Sequence, residues 1–248
     1  MSTIYILWLR QVKRYLRSRS RIIGSLAQPL LFLVALGFGF GPIYTKAGQG
    51  NYIEFLVPGV MAMSILFTAM ATGIEIIWDR QFGFLKETLV APISRMNIMI
   101  GRTLGGATVS ILQGLIVFGL SFIVGFKVAN WHIFPLAFIS MFLIAVIFTA
   151  LGTAIASLLQ DMQGFQLIMS FLIMPIFFLS GALFPLNGLP SALNIVVRAN
   201  PLSYGVDSLR GTLVAASNFG LHTDFIALTL LALILLAIGS YLFSKIQI

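Results

Sequence analysis

Two acids, Glu75 and Asp79, stand one helical turn apart in the stretch IEIIWDRQ, at the edge of a long apolar run and with Arg80 adjacent. Residues four apart share a helix face. An acid at that depth can pair with a base, reach water, touch a polar solute or couple one conformation to another. A second candidate pair is Asp207 and Arg210, three residues apart and able to meet on one face of a helix. Arg10, Lys13, Arg14, Arg17, Arg19 and Arg21 crowd the start of the chain. None of these groups forms catalytic machinery. Ser180 and Ser203 have no His near them in sequence, and the dipeptide Gly-Lys that ends a phosphate-binding loop never occurs. With no Cys, and with His132 and His222 far apart, disulfide, thiolate and conventional zinc chemistry are not expected either. No catalytic, cofactor-binding or metal-binding residue is therefore assigned.

The elements that must position these charges are apolar. The hydrophobic fraction is 59% and the charged fraction 9%, against about 45–50% and about 25% in soluble domains. That composition describes an integral membrane protein. The net charge of +8 could suggest a nucleic-acid partner, but its cations gather directly before the first apolar run, where they touch lipid headgroups and set orientation. No nucleic acid is expected.

Hydropathy predicts an all-α fold with six transmembrane helices near 22–41, 57–78, 104–126, 134–159, 166–184 and 225–244. The uncharged run 162–197 is too long for one span, since its 36 residues would rise about 54 Å as a helix. Pro185, Gly188 and Pro190 supply the break. Placing the N-terminus in the cytoplasm puts the six N-terminal cations, Arg80, Lys86, Arg95, Arg102 and Lys245 inside, against Lys46, Lys127, Arg198 and Arg210 outside. By the positive-inside rule both termini are cytoplasmic. No repeat or linker divides the chain. It reads as one domain over 1–248: an amphipathic segment 1–21, five spans over 22–184, an outer region 185–224, and a last span with the C-terminus over 225–248.

Three regions are unlike plain spans. In the N-terminal segment Arg10, Lys13, Arg14 and Arg17 share one helical arc, opposite Ile4, Trp8, Val12, Tyr15 and Leu16. This predicts a helix lying at the cytoplasmic interface with its cations toward water or headgroups. The loop DRQFGFLKETLVAPISR mixes Arg80, Lys86, Glu87 and Arg95 with exposed-looking Phe82, Phe84, Leu85, Leu89 and Val90, and ends a short helix before Pro92. It is either an interfacial linker or the docking point of a soluble subunit. Leu189–Val197 and Leu202–Ala215 are too short to span and too apolar to float, which predicts two re-entrant helices turning around Asn200 and Pro201. Arg198, Asn200, Pro201, Asp207 and Arg210 would then sit at the outer mouth, as a structural pair or a gate. The Gly101 to Gly105 spacing suits close helix packing.

In this order, GFLKETLVAPISR (83–95), LSGALFPLNGLPSAL (179–193) and ANPLSYGVDSLRG (199–211) make the whole chain resemble the membrane-spanning permease subunit of type-2 ABC exporters. The resemblance implies a half-transporter in the inner membrane. A second permease copy, identical or related, would complete the route, and two copies of a separate cytoplasmic ABC ATPase would bind ATP and Mg2+ and supply the work. It makes the N-terminal segment with Arg10, Lys13, Arg14 and Arg17 the interface helix. Phe82, Phe84, Leu85, Lys86, Glu87 and Leu89 would belong to the coupling helix, and 189–215 to the outer re-entrant pair with Arg198, Asn200, Pro201, Asp207 and Arg210. Glu75 and Asp79 remain possible polar coupling residues. The implied cargo is an amphipathic drug-like, lipid or lipid-linked saccharide molecule. Two alternatives stay open: a secondary transporter, and a non-transporting structural subunit of an export assembly.

Overall fold

The computed structural model describes residues 3–48, 50–90, 93–186, 188 and 190–246; Pro92, Leu189 and the side chains of Lys86 and Leu89 fall outside the described residues. Helix α1 (Thr3–Arg17) is followed by α2 (Arg19–Leu31), a π-helical turn (Phe32–Leu36) and α3 (Gly37–Lys46), which run on as one apolar rod. Next come α4 (Tyr52–Ala71) and α5 (Ile74–Gln81), the short α6 (Phe84–Val90), and α7 (Arg95–Ser121). A 3-10 turn leads into α8 (Phe134–Leu158), followed by α9 (Met162–Phe178), α10 (Ser191–Ala199), α11 (Pro201–Val214) and α12 (Leu221–Ser244). Side-chain caps start several of them: Asn51 accepts from Ile53 N–H at 3.0 Å, Ser94 from Asn97 N–H at 3.2 Å, and Asn200 from Leu202 N–H at 3.0 Å.

The protein is an all-α, multi-pass membrane protein. Among the described residues five helical stretches are long and apolar enough to cross a bilayer: Arg19–Lys46, Tyr52–Gln81, Arg95–Ser121, Trp131–Leu158 and Leu221–Ser244. The expected span 166–184 is replaced by α9, whose 17 residues reach about 26 Å, short of the roughly 30 Å hydrocarbon layer. The helix stops because the chain turns after Phe178 and Gly181 takes a positive φ of 76°. The expected third span is likewise trimmed, from 126 back to Ser121, by a turn over 122–125.

Within the bundle the stretch Tyr52–Gln81 is central: 78% of its most apolar eighteen residues are buried, against 17% in Arg19–Lys46 and 17% in α12. Small residues let the helices approach, as is usual where lipid offers no hydrophobic drive for helix contact. A Cβ built on Gly152 of α8 would lie 2.7 Å from the Met70 carbonyl oxygen of α4, while one on Gly119 would meet nothing within 4 Å. Gly152→Val is accordingly expected to cost about 1–3 kcal/mol through forced separation of α4 and α8. Thermal unfolding in detergent checks this, with Gly119→Ala expected not to lower the midpoint.

Arg95, at the start of α7, donates to the carbonyl oxygens of Ser244, the last residue of α12, and of Ile246 just beyond it. Gly101 of α7 lies against Ile4 and Leu7 of α1. Both described chain ends therefore lie at one end of the bundle, together with α5 and α6. The opposite end carries an aromatic cluster of Phe118, Phe122, Phe126, Trp131 and Phe134, with Phe118 and Phe122 ring centroids 4.9 Å apart. Such a cluster is characteristic of a membrane–water interface. There α11 fixes the α7–α8 connection, its Leu213 carbonyl accepting from Ala129 N–H at 2.8 Å.

Candidate coupling site

Helix α1 runs alongside α7 in the same direction. Gly105 faces Gln11, Trp8 Nε1 donates to Thr108 Oγ1 at 2.9 Å, and the buried Tyr15 hydroxyl donates to Gln113 Oε1. Burial pushes the Tyr15 phenol above its ordinary range, opposed in part by the nearby Arg21 charge. The Gly101 and Gly105 pair thus serves close packing, with α1 as its partner.

This docking turns part of the cationic arc inward. Asp79 accepts from Arg10 at 3.0 Å and from Arg102 of α7 at 2.5 Å. One turn earlier, Glu75 pairs with Arg14 at 3.3 Å and Arg21 at 3.0 Å, and accepts from Gln11 at 3.3 Å. Glu75, Asp79 and Arg102 are all buried. The expectation that the whole arc faces water or headgroups is corrected: Arg10 and Arg14 are half-buried against the acids, while Lys13 and Arg17 are exposed. A buried carboxylate needs a compensating cation, and a long arginine side chain can reach around its own helix to supply one. Gln11, Arg21 and Arg102 are the members of this cluster that sequence reasoning missed. The available signal was the acid pair itself, which required cations from somewhere.

The network extends into α6. The Arg10 guanidinium that holds Asp79 also lies over the Phe84 ring, 3.8 Å from its centroid. Arg80 donates to the carbonyls of Leu159 at 2.9 Å and Ser157 at 3.4 Å, at the end of α8, and Trp78 Nε1 contacts Met162 Sδ at 2.8 Å. One short segment, α5–α6, is therefore tied to α1, α7 and the α8–α9 junction. The exposed apolar groups at the ends of α6 are Phe82, 79% exposed, and Val90, 80% exposed. Leu85, expected to be exposed, is instead buried at 2% because α6 folds back on the bundle. Glu87 is exposed, and the side chains of Lys86 and Leu89 are not described.

At the far end α10 and α11 turn at Asn200, which caps α11 and donates to the Ile176 carbonyl at 2.7 Å; Pro201 takes the first helical position. The expected Asp207–Arg210 ion pair does not form. Asp207 accepts from Ser217 Oγ, Asn218 N–H and Phe219 N–H, each at 2.8 Å, so the loop before α12 takes its lone pairs. Arg210 donates to the carbonyls of Phe55 at 3.2 Å and Gly181 at 3.0 Å and covers the Phe55 ring. Arg198 is exposed, and its guanidinium donates to Asn194 within α10 at 3.2 Å. Among the described residues no group of three His, Cys, Asp or Glu could hold a metal ion.

The profile of the ABC-2 type transporter family matches residues 2–214, which takes in the acid–arginine cluster and α10–α11 alike. The chain belongs to the ABC-2 type transporter family. Similar proteins include ycf38 of Cyanophora paradoxa, named as a transport permease, 28% identical over 84% of this chain and 72% of that protein. Nodulation protein J of Rhizobium leguminosarum bv. trifolii is 28% identical over 83% of this chain and 76% of its own length. A Mycobacterium tuberculosis protein named as a doxorubicin resistance ABC transporter permease, DrrC, is 25% identical over 82% and 73%. This ABC-2 chain is thus a membrane permease subunit of an ABC exporter-type system.

Proposed function

We propose that the permease is one half of an ATP-driven exporter in the inner membrane, moved by two copies of a separate cytoplasmic ABC ATPase that dock on α6. The carrying observation is the Arg10 guanidinium, which touches the Phe84 ring of α6 and the Asp79 carboxylate of α5 at once. A displacement of α6 cannot leave α1, α5 and α7 where they were. In this reading α1 is the interface helix, α6 the coupling helix, and α10–α11 the outer re-entrant pair that covers the exit.

Six crossings with both termini cytoplasmic fit the placement of both described chain ends at one end of the bundle, since an even number of passages is then needed; α9 together with the bent segment 179–184 would complete the sixth. The cationic end, with Arg10, Lys13, Arg14, Arg17 and Arg19, is the cytoplasmic one. A second permease copy would cover the lightly buried α2–α3 face, where Ile23, Leu31 and Phe38 are exposed, and the α9 face, where Leu167 and Phe171 are exposed. The cargo is an amphipathic drug-like, lipid or lipid-linked saccharide molecule, in keeping with one relative's name, which speaks of doxorubicin resistance. A secondary transporter fits less well, because the family model that matches residues 2–214 is that of the ABC-2 type transporters.

The test is reconstitution with the partner ATPase. Arg10→Ala is expected to insert and to bind the ATPase while losing most of the permease-dependent stimulation of ATP hydrolysis and most vesicle transport. Unchanged stimulation in a folded Arg10→Ala permease would remove the α1–α6 link from the transmission route.

A further inference from the structure

Helix α12 is exposed over most of its length, and its buried residues are Asp224, Leu228, Ala232, Gly239 and Phe243. At that spacing they form one stripe along the helix, which packs against α8 and α11. An aspartate stands at the head of this apolar stripe. Asp224 is 0% exposed, and no donor among the described residues reaches either of its carboxylate oxygens. Its neighbour is a second acid: Asp207 of α11, 2% exposed, lies within hydrogen-bonding reach of the Asp224 carboxyl. Asp207 itself is well supplied, by Ser217 Oγ, the backbone and side-chain N–H groups of Asn218, and Phe219 N–H.

Two ionised carboxylates in contact offer each other lone pairs alone. Asp224 would then be a buried charge with neither a donor nor a counter-cation, a state that proteins relieve by neutralising the group. One proton removes the conflict: an Asp224 O–H donates to Asp207, and the pair carries a single negative charge on the oxygens that already have donors. The surroundings supply nothing else. Arg210 of α11 is near enough for its charge to act on Asp207, but its N–H groups go to the Phe55 and Gly181 carbonyls. Tyr204 of α11 gives its hydroxyl to the Arg198 carbonyl. Helices α8 and α9 carry no charged residue, and the charges of α7, Arg95 and Arg102, sit toward the opposite end of the bundle. Glu54 of α4 is held by Asn51, and Lys127, His132 and His222 are exposed.

We propose that Asp207 and Asp224 bind one proton between them, and that this proton latches the head of α12 to α11. Without it, the second negative charge drives Asp224 toward water. The packing that must then open is close: a Cβ built on Gly211 of α11 would stand 2.8 Å from Leu221 and 3.2 Å from Ser217. Asp207 holds the loop before α12 through Ser217, Asn218 and Phe219, and holds the helix itself through Asp224. Loop and first turn therefore lift together. The exporter reading enters at one point, in making this the outer end, so that the acidity of the outer compartment sets the occupancy.

The test uses the full-length permease in detergent, without an ATPase. Infrared spectra of protein labelled with carbon-13 at its aspartate carboxyls are expected to show a protonated-carboxyl C=O band at neutral pH. That band should shift in heavy water, fade as the pH is raised, and be missing from Asp224→Asn. Should Asp224→Asn fail to fold, Asp224→Glu keeps a carboxyl there that the label does not mark, and the band should again be lost. Thermal unfolding is the second arm. Unfolded aspartates ionise above about pH 4, so unfolding the latched protein releases a proton, and rising pH favours the unfolded chain until the pair itself ionises. In Asp224→Asn the amide N–H2 replaces the shared proton. Between about pH 5 and about pH 9 the parent's midpoint should therefore fall by roughly 5 °C or more relative to that of Asp224→Asn. Absence of the band at neutral pH, its survival in the variants, or the same pH profile in parent and Asp224→Asn would overturn the proposal. A parent midpoint restored at alkaline pH by Na+ or Ca2+, and not by choline, would assign the pair to a metal cation and overturn it too. A negative result here leaves the coupling reading standing, and a failure of ATPase stimulation leaves this site standing.

Discussion

Asp79→Asn is expected to be the most damaging single change at the end of the bundle that carries α5 and α6, lowering stability by about 3–5 kcal/mol. The size follows from what is left behind. Arg102 is buried to 5% exposure with Asp79 as its ion-pair partner, and a buried guanidinium without a counter-charge keeps its desolvation cost and loses its compensation. Arg10 loses the same carboxylate but is half-exposed, so water relieves it. In a domain of this size the thermal midpoint should fall by roughly 10 °C. The cycle with Arg102→Met is the sharper test. Replacing both members of a buried pair by neutral groups is often close to neutral, so Asp79→Asn with Arg102→Met should recover most of the midpoint lost by Asp79→Asn alone. Strictly additive losses would mean that the two side chains do not depend on each other.

The second large effect is functional and leaves the fold alone. Phe82→Asp is expected to insert, fold and unfold like the parent, because a substitution on a freely exposed side chain changes stability by only about 0.5 kcal/mol or less. If the ATPase docks over α6, Phe82 is its aromatic anchor. Losing such an anchor costs about 2 kcal/mol or more, roughly a thirtyfold weaker complex. ATPase co-purification and permease-stimulated hydrolysis should both fall accordingly. Leu85→Asp should behave in the opposite order. Its side chain is 2% exposed, so a carboxylate there is buried without a partner and folded yield falls before any docking defect can be read. Full stimulation by Phe82→Asp would place the docking surface elsewhere.

The contrast between Phe82 and Leu85 illustrates what the sequence could and could not reveal. The long spans were legible because a bilayer demands about twenty apolar residues in a row and charged residues bound those runs. The turn at Asn200 and Pro201 was legible from local chemistry, an Asn cap followed by proline at the first helical position. The burial of Leu85 was not, since a helix of seven residues completes about two turns and is too short to declare an apolar face. Neither was the inward turn of Arg10 and Arg14, whose spacing gave an arc correctly while their partners lie 69 and 61 residues further on.

Asp207 and Arg210 carry the same lesson in reverse. Spacing allowed a pair, but the loop Ser217–Phe219 offered four donors to the acid, and the carbonyls of Phe55 and Gly181 took the arginine. Local geometry lists the contacts a residue can make, and tertiary neighbours decide among them. The early end of α9 has a comparable cause: hydropathy continues through 179–184, while the positive φ at Gly181 and the approach of Gly59 to Ala182 fix a turn there.

The central claim is that an ATPase grips the permease at α6, and the chain's lack of cysteine makes a clean measurement possible. Phe82→Cys, labelled with a short photoreactive maleimide in the assembled complex in vesicles, should give an adduct with the ATPase whose yield changes between nucleotide-free and ATP-bound states. Ile123→Cys, 81% exposed at the opposite end of the bundle, should give none. Adducts from Phe82→Cys with lipid alone, in a complex that still hydrolyses ATP, would contradict the claim.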